Sequence, residues 1–264
     1  MALVTAGCLA ALFCTAFAGG CVNALAGGGS LLTFPMLVWA GLPPIVANGT
    51  NTVSIFPGSF AAMLPFRGDL DRSRSWLHTL LLPSLAGGAL GALLLLATPE
   101  KLFMRLVPAL ILFATSIFAL QELFARMSGG RIEPESGAAD EPPPRSPLRA
   151  IASQFLISVY GGYFGAGIGI MMLASLGLLG LRDLHRRMAV RTCLATCING
   201  VAAIWFARGG AVDWRVAALM TAGQVAGGYG GASLVRRVPR AWVRWSVVAI
   251  GLGMAAAMGF WSGH

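Results

Sequence analysis

Three kinds of group in this sequence are equipped to hold a ligand: a glycine-rich helix start, a run of neutral hydrogen-bonding side chains, and one arginine beside a threonine. Gly27-Gly28-Gly29-Ser30 opens an apolar run. The amides of Gly28 and Gly29 and the Ser30 hydroxyl there sit at the positive end of a helix, a natural seat for an anion. Close helix packing by small residues is the competing reading. Asn48-Gly49-Thr50-Asn51-Thr52 starts the next helix after Leu42-Pro43-Pro44. One such residue suffices as a cap. Asn48, Thr50, Asn51 and Thr52 together form a surplus of polar groups that must be paired or face a ligand.

Arg191 and Thr192 occupy the corresponding place in the second half of the chain. A guanidinium fork suits an oxyanion, although Arg191 is also the last member of a basic cluster with Arg182, Arg186 and Arg187. Pro57-Gly58 and Asn199-Gly200 lie at matching places inside helices, where they loosen the ladder and free polar groups near its centre. Kinks used only for packing explain them equally well.

Other chemistries lack their parts. Cys193 and Cys197 are a helical turn apart, but no His or carboxylate joins them, so packing is favoured over a metal site. His78, His185 and His264 assemble no catalytic set at membrane depth, and neither an enzyme nor a cofactor is expected. Apart from Glu122 near a helix end, the apolar segments hold almost no acid, which argues against a carboxylate proton relay.

The elements that position these groups are membrane helices. Of 264 residues, 56% are hydrophobic and 11% charged, against about a quarter charged in a soluble domain. Met1 to Phe66 and Ile151 to Leu181 contain no charged residue or histidine. The net charge of +9 falls in short clusters between apolar runs, the pattern of cytoplasmic loops rather than of nucleic-acid binding. The five cysteines lie in apolar segments and form no disulfide framework. Ala16-Phe17-Ala18 resembles a cleavage site, but no basic region precedes it, and residues 2–25 read as a retained helix.

Apolar stretches fall at 2–25, 30–40, 46–66, 76–97 and 102–125, then at 149–164, 168–181, 192–207, 216–235 and 245–262. Between the two sets of five lies a segment rich in Gly, Pro and charges of both signs, a solvated linker. The expected organisation is a first transmembrane repeat at 1–125, a cytoplasmic linker at 126–148 and a second repeat at 149–264. Gly27, Ala47, Gly58, Asp71, Gly87 and Pro99 match Gly167, Ala189, Gly200, Asp213, Gly227 and Pro239 at an offset between 140 and 142. Basic loops at Arg67–Arg74, Arg182–Arg191 and Arg236–Arg244 are expected on the cytoplasmic side, which gives the two halves opposite orientation. The fold class is therefore all-α and polytopic, with two inverted repeats and a short, glycine-broken hairpin in each, the arrangement that places transport sites near the midplane.

Ala26-Gly27-Gly28-Gly29-Ser30-Leu31-Leu32-Thr33-Phe34-Pro35, Gly41-Leu42-Pro43-Pro44 and Val46-Ala47-Asn48-Gly49-Thr50-Asn51-Thr52 resemble the sulfite exporter TauE/SafE family. Tyr160-Gly161-Gly162-Tyr163-Phe164-Gly165-Ala166-Gly167-Ile168-Gly169 and Ala189-Val190-Arg191-Thr192 resemble its second repeat. The glycine run is shorter than is common in the family, and Gly169-Ile170 stands where the first half has Gly29-Ser30. The resemblance implies a carrier in the bacterial inner membrane that moves, commonly outward, a small sulfur oxyanion such as sulfite or sulfoacetate. Transport of another small solute on the same scaffold, or service as a membrane-embedded assembly factor, are the alternatives. The expected substrate site is Gly28, Gly29, Ser30, Asn48, Thr50, Asn51, Thr52, Arg191, Thr192 and Asn199, with no metal. The partners expected are the substrate and lipid, with no nucleic acid; a homo-oligomer is compatible with the sequence.

Overall fold

A computed structural model describes residues 6–120, 123, 144, 146–181, 183–234, 245 and 247–253, and these are helices and short connections throughout. The first half forms α1 (Ala6–Ala26), α2 (Ser30–Trp39), α3 (Pro44–Met63), a 3-10 turn (Leu64–Phe66), α4 (Arg67–Arg72), α5 (Arg74–Ala97) and α6 (Glu100–Ala119). The second forms α7 (Pro147–Tyr163), α8 (Ile168–Leu178), α9 (Leu184–Arg208) and α10 (Trp214–Leu234), followed by helical residues 247–253. Most of the linker expected at 126–148 lies outside the described residues, as do Glu122 and most of the last apolar segment. Ala6–Asn23, α5, α6 and α9 are long and apolar enough to cross a membrane, and α2 and α8 are shorter apolar helices. The chain is thus an all-helical, multi-pass membrane protein.

The short helices are cut off by design of the sequence at both ends. Gly41 and Gly180 follow α2 and α8 with φ of 93° and 110°, a conformation open to glycine at little cost. Leu42 N–H then reaches Leu37 O at 3.2 Å, and Leu181 N–H reaches Leu176 O at 3.1 Å, the six-to-one bonds of a Schellman cap. At about 1.5 Å per residue, helices of 10 and 11 residues cover only about half of a 30 Å hydrocarbon core. Their starts, and the backbone breaks before them, therefore lie within the protein at membrane depth, where irregular backbone must be covered.

Helix α9 begins at Leu184, eight residues before the apolar run that announces it, because Asp183 caps it by accepting from Arg186 N–H at 3.1 Å. The cluster expected as a loop is thereby drawn into the helix, with Arg186, Arg187 and Arg191 buried. Asp213 caps α10 in the same way, accepting from the Arg215 and Val216 amides at 3.0 and 3.1 Å. Arg67–Arg72 is likewise helical.

The two most extensive interfaces are reciprocal: α1 packs on α10, and α7 on α5. In each, backbones meet through glycine. A Cβ on Gly91 would overlap Val159 O, and one on Gly227 would overlap Phe17 O. The order of contacts makes each pair parallel. Without a hydrophobic drive between helices in lipid, such close approach supplies the association through dispersion. Outward, Leu82, Leu93, Leu94, Leu102, Leu112 and Leu156 are exposed, as a lipid-facing surface requires.

Candidate functional site

Helices α3 and α9 run antiparallel and form a fork. At one end they touch: a Cβ on Gly49 would overlap Ala211 O and lie 3.3 Å from Phe206 Cβ. They touch again midway, where a Cβ on Gly200 would lie 2.8 Å from the Phe56 ring. Beyond that point they diverge around a cavity of about 380 Å³. Helix α3 lines it with Ile55, Gly58, Ser59 and Ala62, the 3-10 turn after it with Phe66, and α9 with Met188, Arg191, Thr192, Ala195 and Asn199. The four residues of α3 and the first four of α9 share the spacing i, i+3, i+4, i+7, so each helix gives the cavity one unbroken face. The breaks before α2 and α8 close the remaining sides with Gly27, Ser30, Gly165, Ile168 and Gly169, and Gly20, Asn23, Gln224 and Gly228 complete the wall.

Arg191 is the one charged residue in that lining. It is 6% exposed, Nη2 donates to Asn23 O at a long 3.4 Å, and Nε has no hydrogen-bond partner. Its guanidinium lies between the two breaks: a Cβ on Gly27 would stand 3.2 Å from Nη2, and a Cβ on Gly169 3.2 Å from Nε. Each such Cβ would also stand 3.1 Å from the Cα of the other glycine. Two glycines from different halves thus make the room in which one guanidinium sits. An arginine at the centre of a membrane helix costs about 2.5–3.5 kcal/mol on insertion scales, and no carboxylate in this wall offsets it. A guanidinium beside the neutral polar groups of Ser30, Thr192 and Asn199 is chemistry suited to an anion with several acceptor oxygens. Among the described residues no cluster of His, Cys, Asp or Glu is placed to hold a metal.

The model of the sulfite exporter TauE/SafE family matches residues 12–258. The chain belongs to that family. Its relatives include a probable membrane transporter protein of Haemophilus influenzae, 33% identical over 95% of this chain and 94% of that protein. A probable membrane transporter protein ORF9 of Sinorhizobium sp. is 32% identical over 83% of this chain and 80% of its own length. YfcA, a probable membrane transporter protein of Escherichia coli, is 27% identical over 95% and 89%. No solved structure matches. This TauE/SafE protein is a membrane transporter of bacterial type.

Of the ten residues the sequence singles out, Ser30, Arg191, Thr192 and Asn199 line the cavity. Gly28 packs under the Phe118 ring and Gly29 against Gly19 O. The polar run at the start of α3 lies at the closed end of the fork, where protein groups engage it except at Asn48 Oδ1, which has no hydrogen-bond partner. Asn48 Nδ2 donates to Tyr163 O at 3.1 Å, Thr50 Oγ1 accepts from Asp213 N–H at 2.9 Å, and Asn51 Oδ1 accepts from the Thr33 hydroxyl at 2.6 Å. The Thr52 hydroxyl donates to Asn48 O at 2.9 Å. Asn23 and Gln224 are cavity residues that motif spacing does not reveal; Gln224, the only carboxamide of α10, is marked in the sequence by that alone.

Proposed function

We propose that this TauE/SafE transporter exports a small sulfur oxyanion, sulfite or an organosulfonate such as sulfoacetate, by exposing the fork between α3 and α9 alternately to the two sides. The observation that carries this reading is Arg191, buried without a counter-charge in a cavity walled by the glycine breaks of both hairpins. Ser30, Thr192 and Asn199 share the anion's oxygens. The cavity extends to Phe66, in the turn after α3, and to Met188, near the start of α9; the basic segments adjoin it there, so it faces the cytoplasm by the positive-inside rule. The end closed by Gly49, Thr50, Ala211 and Asp213 then faces outward.

The two halves have opposite orientation in this reading, which the reciprocal α1–α10 and α7–α5 interfaces support. Helix α3 contributes its C-terminal part and α9 its N-terminal part to the open end. Exchange of these roles about the Phe56–Gly200 contact would open the other end. Outward movement of one negative charge from a negative interior gains about 2.3 kcal/mol per 100 mV, so export needs no coupling carboxylate.

The test is radiolabelled sulfite flux in proteoliposomes under an imposed potential, repeated with sulfoacetate and sulfate. Sulfite or sulfoacetate flux that responds to potential and falls about a hundredfold in Arg191→Ala, as loss of a charge-assisted contact predicts, is the expected result. Absence of flux for every sulfur oxyanion would overturn the substrate. The neutral donors favour no element, so phosphate and carboxylates belong in the same assay as competitors, and their transport in place of sulfite would establish the second reading, another small anion on this scaffold.

A further inference from the structure

The cavity has a second polar side chain with an unpartnered donor, at a position of α10 that no motif marks. Gln224 lies in the middle of α10, is 2% exposed and lines the cavity, and its Nε2 has no hydrogen-bond partner. A buried donor left in that state costs about 1–3 kcal/mol, too much for a residue whose only task is to fill space.

Comparison with the reciprocal interface sharpens the point. A Cβ on Gly223 would meet Phe13 O and Ala16 Cβ as one on Gly87 would meet Phe155 O and Ser158 Cβ, and a Cβ on Gly20 would meet Gln224 O as one on Gly162 would meet Gly88 O. Gln224 therefore stands where the α7–α5 interface has Gly88, and close packing of the two helices does not require its carboxamide. The carboxamide buried in the other interface is paired there: Gln154 Nε2 donates to Ser84 Oγ at 2.9 Å and to Ser158 Oγ at 3.3 Å.

Its neighbours leave it room. The Gln224 backbone packs against Gly20, while a Cβ on Gly58 would still be 3.7 Å from Gln224 O, and one on Gly228, a turn further along, would meet nothing within 4 Å. Arg191 lines the same cavity from α9, and it too has an unpartnered donor, Nε. We propose that Gln224 is a substrate-contacting specificity residue, its amide donating to an oxygen of the same small oxyanion that Arg191 holds. This rests on the reading of the cavity as an oxyanion site, and it adds a neutral donor from α10 that favours ligands with a further acceptor oxygen over spherical anions such as chloride.

Two measurements test it. In proteoliposomes, Gln224→Leu raises the KM for sulfite about tenfold, as loss of one hydrogen bond to an anion predicts, with the maximal rate nearly unchanged, and Gln224→Glu abolishes flux by repulsion. Gln224→Asn restores part of the affinity, which a space-filling role would not require. Unchanged KM in Gln224→Leu and Gln224→Glu overturns the proposal. Independently of whether sulfite is carried, Gln224→Cys in full-length protein with its five native cysteines replaced is expected to react with a charged methanethiosulfonate. Sulfite, sulfoacetate, sulfate or phosphate should slow that reaction, and chloride at equal ionic strength should not. A thiol that does not react, or that reacts equally fast with every anion, overturns the proposal even if sulfite flux is confirmed. Slowing by phosphate but not by sulfite would uphold Gln224 and remove the sulfur substrate.

Discussion

At the scale of single residues, the division of labour among polar side chains follows from what each can reach. Thr33 and Asn51 satisfy one another across α2 and α3, whereas Thr192 lines the cavity. Thr33→Val should therefore lower stability by roughly 0.6 kcal/mol, the mean for such bonds in membranes, and leave the KM for transport unchanged. Thr192→Val should do the reverse; thermal unfolding in detergent and flux in liposomes distinguish the two. Composition made the polar surplus of Asn48 to Thr52 visible, and Arg191 was legible as a charge beside it. The partners were not, because Tyr163 and Asp213 stand 115 and 163 residues away in the chain and only the folded backbone brings their carbonyl and amide into range. Gln224 carries no spacing signal at all, and its significance comes from the cavity it lines and the unpartnered amide it buries there.

At the scale of elements, small residues divide into those that let helices touch and those that keep space open. Gly227 and Gly228 are adjacent on α10, yet a Cβ on the first would overlap Phe17 O and a Cβ on the second would meet nothing. Gly227→Ala should cost about 1–3 kcal/mol by overpacking, read as a lower unfolding midpoint. Gly228→Ala should keep or raise the midpoint, since alanine is the better helix former, while reducing flux because the methyl enters the cavity. The hairpins and their breaks were legible from short apolar runs bounded by glycine, and α2 and α8 fall within a few residues of the expected positions. The start of α9 was not, because a charged stretch reads as a loop when it precedes an apolar run. Capping by Asp183 extends the helix through those charges and turns a topology signal into part of the wall.

At the scale of the whole molecule, the cavity holds one positive charge and the proposed oxyanion brings at least one negative charge. For a univalent substrate, inside-negative potential should bias accumulation about fiftyfold per 100 mV, from the same 2.3 kcal/mol, measurable with a potassium diffusion potential. Arg191 has a further consequence because the glycines of both hairpins enclose it. On the proposed reading, the carrier must reset with a naked guanidinium at the junction of its two halves once the anion leaves, whereas on a loaded passage that charge is neutralised. The empty return is then the slow limb of the cycle, and unlabelled sulfite on the far side should accelerate release of labelled sulfite well beyond the net rate. A carrier of the proposed kind behaves as a rapid exchanger with a slower one-way leak, and its net rate is set by how quickly it can travel unladen.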